Sequence, residues 1–189
     1  QWGSLMYENE EKIKIGDIID VRQLKRLSPK RPEMPHIEDV VVQRMIKVGE
    51  LAHHELIEFL KDVVEGYAEL EDTLARKNRS LCLVEVSSLK KVYVEEEDRK
   101  RTRISFKLPN VDFEYINTTQ KPGYPCVCLH WRAIQGHGIE IPDKFNSIFL
   151  GIGLARGFFS GNRWVDPTPM VISVITDPAL PLGIDYDNP

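Results

Sequence analysis

The chain has 189 residues, of which 42% are hydrophobic and 29% charged, and its formal net charge at pH 7 is −4. A chain of this length can bury a core without disulfides or metals, and the composition is typical of a globular protein. No stretch approaches the roughly 18 apolar residues of a membrane-spanning helix, so we expect no membrane partner. The negative net charge gives no reason to expect nucleic acid as a partner.

The local distribution of charge also argues against nucleic-acid binding, and the cysteines indicate the cellular compartment. The basic residues 99–103 directly follow an acidic run over 95–98, which cancels much of their field beyond a Debye length. Three cysteines in a chain without a signal peptide predict free thiols in a reducing compartment. We therefore expect a cytoplasmic protein that does not bind nucleic acid.

The first 35 residues predict an extended arm. Gln1–Leu5 lack the basic and apolar segments of a signal peptide, and we interpret them as a tag remnant. Three prolines within 28–35 restrict that segment to extended or turn geometry. We predict a tag remnant and arm over 1–35, followed by a single domain over 36–189.

Residues 37–77 predict a long helix, because no proline interrupts them and apolar residues recur three and four apart. The positions of this stripe are Leu56, Phe59 or Leu60, Val63, Tyr67, Leu70 and Leu74. Gly49 leaves a break into two helices open, since glycine weakens a helix. We expect the helix to dock on a sheet, with a homo-oligomer paired through 37–77 as the alternative.

From residue 80 the apolar pattern alternates, which predicts an antiparallel sheet over 80–131. Apolar residues at helical spacing then predict a helix over 144–159, and a proline-rich extended tail follows. The predicted fold class is α+β, an antiparallel meander flanked by a long N-terminal helix and a C-terminal helix.

The segment Tyr124–Trp131 offers the clearest chemistry. If it is extended, Cys126, Cys128 and His130 share one face, because side chains alternate along a strand. A nearby histidine favours the thiolate, the nucleophilic form of cysteine. These three residues with His137 also offer zinc-ligand types, but a Cys-x-Cys pair on a straight strand hinders tetrahedral closure. The remaining alternative is a pair of ordinary buried thiols. We predict no metal and no cofactor.

The segment Gly123–His130 resembles the Cys-Leu-His segment of divergent bacterial relatives of the ubiquitin-conjugating enzymes. The predicted helix over 144–159 and the dipeptide Asp166-Pro167 follow in that family's order. The resemblance implies a fold like that of the ubiquitin-conjugating enzymes. It also implies two protein partners, a ubiquitin-like modifier and its activating enzyme.

The same resemblance implies a cysteine-dependent acyl transferase that carries the modifier as a thioester. Cys128 would be the nucleophile, with Cys126 as the alternative, and His130 would position or tune it. Asn117 would stabilise the oxyanion. The family's His-Pro-Asn segment is absent, which leaves a second hypothesis open: a non-catalytic interaction or assembly module on the same scaffold.

Overall fold

The structure is a computed structural model that describes residues 13–22, 25–26, 40–75, 79–96, 99–116, 122–136, 139–142 and 144–180. Within these ranges the strands are β1 (Asp17–Arg22), β2 (Lys25–Arg26), β3 (Val40–Val41), β4 (Arg44–Glu50), β5 (Leu81–Glu85), β6 (Ser88–Glu96), β7 (Arg99–Lys107), β8 (Tyr124–Pro125), β9 (Ser147–Leu154), β10 (Phe158–Ser160), β11 (Arg163–Val165) and β12 (Pro169–Asp177). The helices are α1 (His53–Val63), α2 (Tyr67–Leu74) and α3 (Leu129–Gly136). The predicted tag remnant over 1–5 and the proline-rich segment over 28–35 lie outside the described residues.

A long antiparallel hairpin forms the N-terminal part of the described chain. β1 pairs with β4 from Asp17 opposite Glu50 to Arg22 opposite Arg44, and β2 pairs with β3 further along the same two segments. Lys47 of β4 reaches across the hairpin to the Asp17 carboxylate, with 2.6 Å between Nζ and Oδ1. The arm predicted for this region therefore includes a paired strand.

The prediction of one helix over 37–77 is wrong. Among the residues 40–75 that the structure describes there, only α1 and α2 are helical, and the chain is extended at Val64 between them. The first half of the range is rich in β-branched valine and isoleucine, which favour strands, and it supplies β3 and β4. The apolar stripe was restricted to 56–74, where the two short helices lie. A homo-oligomer paired through one long helix thus loses the element on which it depended.

Residues 81–177 form a closed barrel of five strands. β5 continues through a bend at Val86 and Ser87 into β6. The chain pairs with β9 before the bend and with β7 after it, so β5 and β6 count as one strand of the barrel. β7 pairs antiparallel with β8, and β12 pairs antiparallel with β9. A parallel bridge between Cys126 and Val171 joins the end of β8 to β12 and closes the ring.

The barrel interior is the main core. It contains large buried side chains of β7 and β9, including Phe106 and Leu150, which are fully enclosed. Leu70 of α2 and Trp131 of α3 belong to the same cluster, so both helices close the barrel. α1 packs on the outside, where its buried leucine and isoleucine contact Phe149 of β9.

The prediction of a helix over 144–159 is also wrong, because the segment contains β9 and β10. All eight residues of β9 are buried, so the strand is covered on both faces and shows no alternation of apolar and polar residues. A short apolar run of this kind cannot be told from a buried helix by spacing alone. Gly151 lies directly against β12, since a Cβ added there would be 2.3 Å from Ser173 Oγ.

The predicted α+β class with two flanking helices is therefore corrected to a mostly β fold. β5 to β8 do fall within the predicted sheet range of 80–131, but the end of that range is α3. The division into 1–35 and 36–189 stays a prediction. Among the described residues no helix has both the length and the apolar character needed to cross a membrane.

Candidate functional site

The cysteine segment is part of the barrel closure. The Cys126 amide donates to Thr102 O at 3.0 Å, and the next amide, of Val127, donates to Val171 O at 2.8 Å. The chain then leaves the sheet, and Cys128 O accepts the Arg132 amide of α3 at 3.0 Å. His130 consequently lies in the first turn of a helix and shares no strand face with the two cysteines.

Both thiols of this segment are enclosed. The exposed fraction is 5% for Cys126 and 4% for Cys128, and burial raises the pKa of Cys126 to about 12. A thiol with so high a pKa stays protonated at neutral pH and is a poor nucleophile. The alternative of ordinary buried thiols describes this environment, while the assignment of Cys128, Cys126 and His130 as catalytic residues stays a prediction.

His130 lines a cavity of about 190 Å³ between the hairpin and β12. His53 at the start of α1 lines the same cavity, and its Nε2 lies 3.9 Å from Asp177 Oδ1. In the part of the chain that the structure describes, no group of three or more histidine, cysteine or acidic side chains could hold a metal ion. Asn117 and His137 lie outside the described residues.

The outer surface of β6, β7 and β8 presents a different chemistry. The sequence of β7, Arg-Lys-Arg-Thr-Arg-Ile-Ser-Phe-Lys, contains five basic residues and no acidic one among nine. Ile104 and Phe106 of this strand are buried in the barrel, and Arg103 and Lys107 alternate with them. The polar side of β7 therefore faces away from the core.

Arg103 is held in a defined orientation on this surface. Its Nε donates to Pro122 O at 2.8 Å and to Gly123 O at 3.0 Å. These carbonyls belong to the loop that leads into β8, and Gly123 has a φ of +80°, a conformation that glycine adopts at low cost. A Cβ there would also lie 3.1 Å from Ile104 O. The guanidinium thus stays on the β7–β8 surface.

One carboxylate of this surface, Glu114, is bonded to two neighbouring side chains. Glu114 accepts a hydrogen bond of 2.5 Å from Ser105 Oγ and one of 3.0 Å from Lys90 Nζ. The bond from Ser105 and then the bond from Lys90 lower the pKa of Glu114. Lys107 of β7 also lowers the pKa of this carboxylate through its charge, so Glu114 interacts with two lysines of the surface.

A short hairpin, β10–β11, is inserted between β9 and β12. Phe158 pairs with Val165 and Ser160 with Arg163 across a turn. Trp164 packs on the backbone of Gly157, where an added Cβ would be 2.3 Å from its Cζ2. Because β8 and β12 run parallel, the hairpin that precedes β12 lies at the end of the barrel where β8 begins. Arg163 of this hairpin is exposed.

Comparison with known proteins gives one match. The family model described as a dual OB-containing domain matches residues 3–124. No curated protein and no solved structure matches the chain. The predicted membership of the ubiquitin-conjugating-enzyme relatives is wrong, as is the thioester-transferase function, because the matching family is a different one. The family match gives no specific support to the alternative, a non-catalytic interaction or assembly module. The ubiquitin-like modifier and activating enzyme rested on that resemblance alone.

The resemblance failed for a structural reason. An antiparallel meander, a cysteine segment and a short helix do follow one another in this chain, as they do in the predicted family. However, the first half of the predicted N-terminal helix is strand, with only two short helices after it, and the predicted C-terminal helix contains the strand β9. The basic residues 99–103 were recognised in the sequence but discounted, because the acidic run over 95–98 precedes them directly.

Proposed function

Because the chain belongs to the dual OB-containing domain family, we propose that its barrel binds single-stranded nucleic acid across the β7–β8 surface. OB folds bind oligonucleotides on the face of their second and third strands, flanked by the loops between strands one and two and between strands four and five. In this barrel those strands are β7 and β8, and the hairpin β10–β11 occupies the loop between the fourth and fifth strands.

The observation that carries the proposal is the charge of β7. Five of the nine residues of β7 are basic and none is acidic, and two of them, Arg103 and Lys107, alternate with the side chains that the strand buries in the core. Lysine and arginine contact phosphates, and such contacts supply most of the affinity of sequence-independent binding. The orientation of Arg103 by two loop carbonyls reduces the entropy that it loses on binding a phosphate.

The net charge of −4 argued against nucleic acid, but the fold separates the charges. Glu95 and Glu96 pair with Lys100 and Arg99 at the far end of the β6–β7 hairpin. Three residues of strand, roughly 10 Å, separate Lys100 from Arg103. That distance is about one Debye length at physiological salt, so the acidic end acts weakly on Arg103. The expectation of no nucleic acid stays a prediction, and the following titration tests it.

Fluorescence anisotropy with labelled single strands of about 12 nucleotides, DNA and RNA, tests the proposal. We expect binding that weakens steadily as salt rises from about 50 to 200 mM, because phosphate contacts release counterions. Lys107→Glu should weaken binding about tenfold or more. It should also reduce the slope of log K against log salt concentration by about 0.7 for the phosphate contact that is lost.

Lys144→Glu is the matched control, since it makes the same change in net charge. Lys144 is exposed and precedes β9, at the barrel end away from β10–β11. We expect it to bind like the parent protein. The proposal is wrong if the parent protein shows no salt-dependent binding, or if both variants lose the same affinity.

The cytoplasmic location expected from the sequence is also part of the proposal. All three cysteines are unpaired and buried, which suits a reducing compartment.

A further inference from the structure

Two half-exposed aromatic residues, Tyr67 and Phe113, stand together where α2 meets the loop after β7. Tyr67 is the first residue of α2, and Phe113 lies between β7 and β8. Their ring centroids are 6.3 Å apart with an interplanar angle of 81°, so the edge of one ring meets the face of the other. The exposed fraction is 49% for Tyr67 and 50% for Phe113, so half of each residue is open to a partner.

The loop that carries Phe113 is fixed to α2. Tyr115 Oη donates a hydrogen bond of 3.0 Å to Glu71 Oε1, one helical turn after Tyr67. The Tyr115 ring also stacks on buried Phe106, with 5.1 Å between centroids and 12° between planes. The two rings are therefore held in position before any partner binds, which lowers the entropy lost on binding.

The charge around the two rings is negative. Glu71 accepts its hydrogen bond from a neutral hydroxyl, and no described lysine or arginine forms an ion pair with it. Asp112, next to Phe113, is exposed and likewise has no ion pair within the described part of the chain. Glu114, on the other side of Phe113, pairs with Lys90 at 3.0 Å. The surface therefore keeps negative charge that these described residues do not neutralise.

Two buried tyrosines respond to this charge. Burial raises the pKa of Tyr115 and of Tyr124, and Glu71 raises both further, because its carboxylate disfavours a second negative charge nearby. The centroids of the Tyr115 and Phe113 rings are 5.1 Å apart. The field of Glu71 thus acts on the ring that Phe113 contacts.

We propose that Tyr67 and Phe113, together with the carboxylates of Glu71 and Asp112, bind an arginine side chain of a protein partner. The face of an aromatic ring attracts a cation, and arginine makes such contacts more often than lysine. Its planar guanidinium stacks on a ring while its N–H groups donate to carboxylates. Phosphates would be repelled by the same carboxylates, so this surface and the basic strand β7 suit different partners.

A short peptide with one arginine tests the site by NMR titration of the full chain. We expect capped Gly-Ala-Arg-Ala-Gly to shift the backbone signals of Tyr67 and Phe113 in a saturable manner. The same peptide with citrulline, which has the shape of arginine but no charge, should shift them much less. Phe113→Leu should weaken binding of the arginine peptide about 2-fold to 5-fold, because an exposed cation–π contact is lost. Phe113→Trp should retain binding, since tryptophan makes the strongest contact of this kind.

Glu71→Gln removes the charge but keeps an oxygen that can accept the hydrogen bond from Tyr115. It should weaken binding of the arginine peptide and leave the citrulline peptide unaffected. Phe59→Leu is the matched control, because Phe59 is exposed to a similar extent but lies on α1. It should bind like the parent protein, and thermal unfolding should show that each variant is folded.

Three results would overturn the arginine site. They are unshifted Tyr67 and Phe113 signals with the arginine peptide, equal binding of the citrulline peptide, and equal binding by the parent protein and Phe113→Leu. None of them bears on the oligonucleotide titration, so the proposed function would stand. Conversely, a protein that binds the arginine peptide but no oligonucleotide would keep this site and lose the proposed function.

Discussion

At the scale of single residues, the environment of a side chain reversed its predicted chemistry. Cys126 and Cys128 would have shared an exposed face on a strand that continued to residue 130. The chain instead leaves the sheet after Cys126 and begins α3 at Leu129, so both sulfurs are enclosed while Val127 between them is exposed. A short turn thus decides whether a thiol is a nucleophile or a core group.

Enclosure of the thiols predicts that they are unreactive in the folded protein. Burial raises the pKa of Cys126 and of Cys82 to about 12, so at pH 8 both stay protonated. Iodoacetamide at pH 8 should leave all three cysteines unlabelled over minutes in the folded protein and label all three in denaturant, as measured by mass spectrometry. Rapid labelling of Cys128 in the folded state would show that the sulfur is accessible and would contradict this prediction.

At the scale of elements, the segment between α1 and α2 is fastened to the barrel by one carboxylate. Glu65 accepts hydrogen bonds from the Leu83 amide at 3.1 Å and from the Arg79 guanidinium, and its own amide donates to Leu83 O at 2.8 Å. Burial alone would raise the pKa of Glu65, but the bonds from Arg79 and Leu83 outweigh it and lower the pKa. This carboxylate therefore links both helices to β5.

Glu65→Gln is predicted to lower the free energy of unfolding by about 1–2 kcal/mol at pH 7, because hydrogen bonds to a charged acceptor are lost. A lowered folded-state pKa means that the stabilisation is present above the unfolded-state value, about 4.3, and disappears as the pH falls through the folded-state value. Urea unfolding should show the full difference at pH 7 and a smaller one near pH 3.

Glu58→Gln provides the matched control for that substitution. Glu58 lies on α1, is exposed, and pairs with Lys61, with 2.9 Å between Lys61 Nζ and Glu58 Oε1. An exposed pair of this type contributes about 0–1 kcal/mol, so the control should be nearly neutral. Equal losses for the two variants would show that Glu65 has no special role.

At the scale of the whole molecule, the fold depends on closing the ring of strands. β9 and β12 come last in the barrel, yet they provide the partners of β5 and of the end of β8. The family match ends at residue 124, in the middle of the barrel. The part of the chain that matches the family therefore needs strands from the residues after 124 to complete its barrel.

A fragment of residues 1–124 should not fold into this barrel. It would leave β5 without its partner β9 and would expose the buried side chains of the interior, including Phe106. Differential scanning calorimetry should show one cooperative transition for the full chain and none for the fragment. A fragment of residues 1–180 keeps every described strand and should retain the transition. Cooperative unfolding of 1–124 would show that the barrel is not a single folding unit.

Several elements were predictable from local pattern, and two segments were assigned wrongly for different reasons. The apolar spacing over 56–74 correctly indicated helix, and the alternation after residue 80 correctly indicated strands. The segments 40–50 and 147–154 were assigned to helices, but both form strands. In 147–154 the strand β9 is buried on both faces, so its apolar residues do not alternate with polar ones. β-branched residues in the first segment were the stronger signal there.

The sequence by itself determined which residues are charged, which are apolar and where local periodicity holds, including the five basic residues of β7. Only the tertiary structure decided that β7 lies on the outside of a closed barrel and that both thiols lie inside it. The reason is that strand partners come from distant parts of the chain, as Cys126 and Val171 do. Burial and exposed surface follow from that pairing, which no local pattern contains.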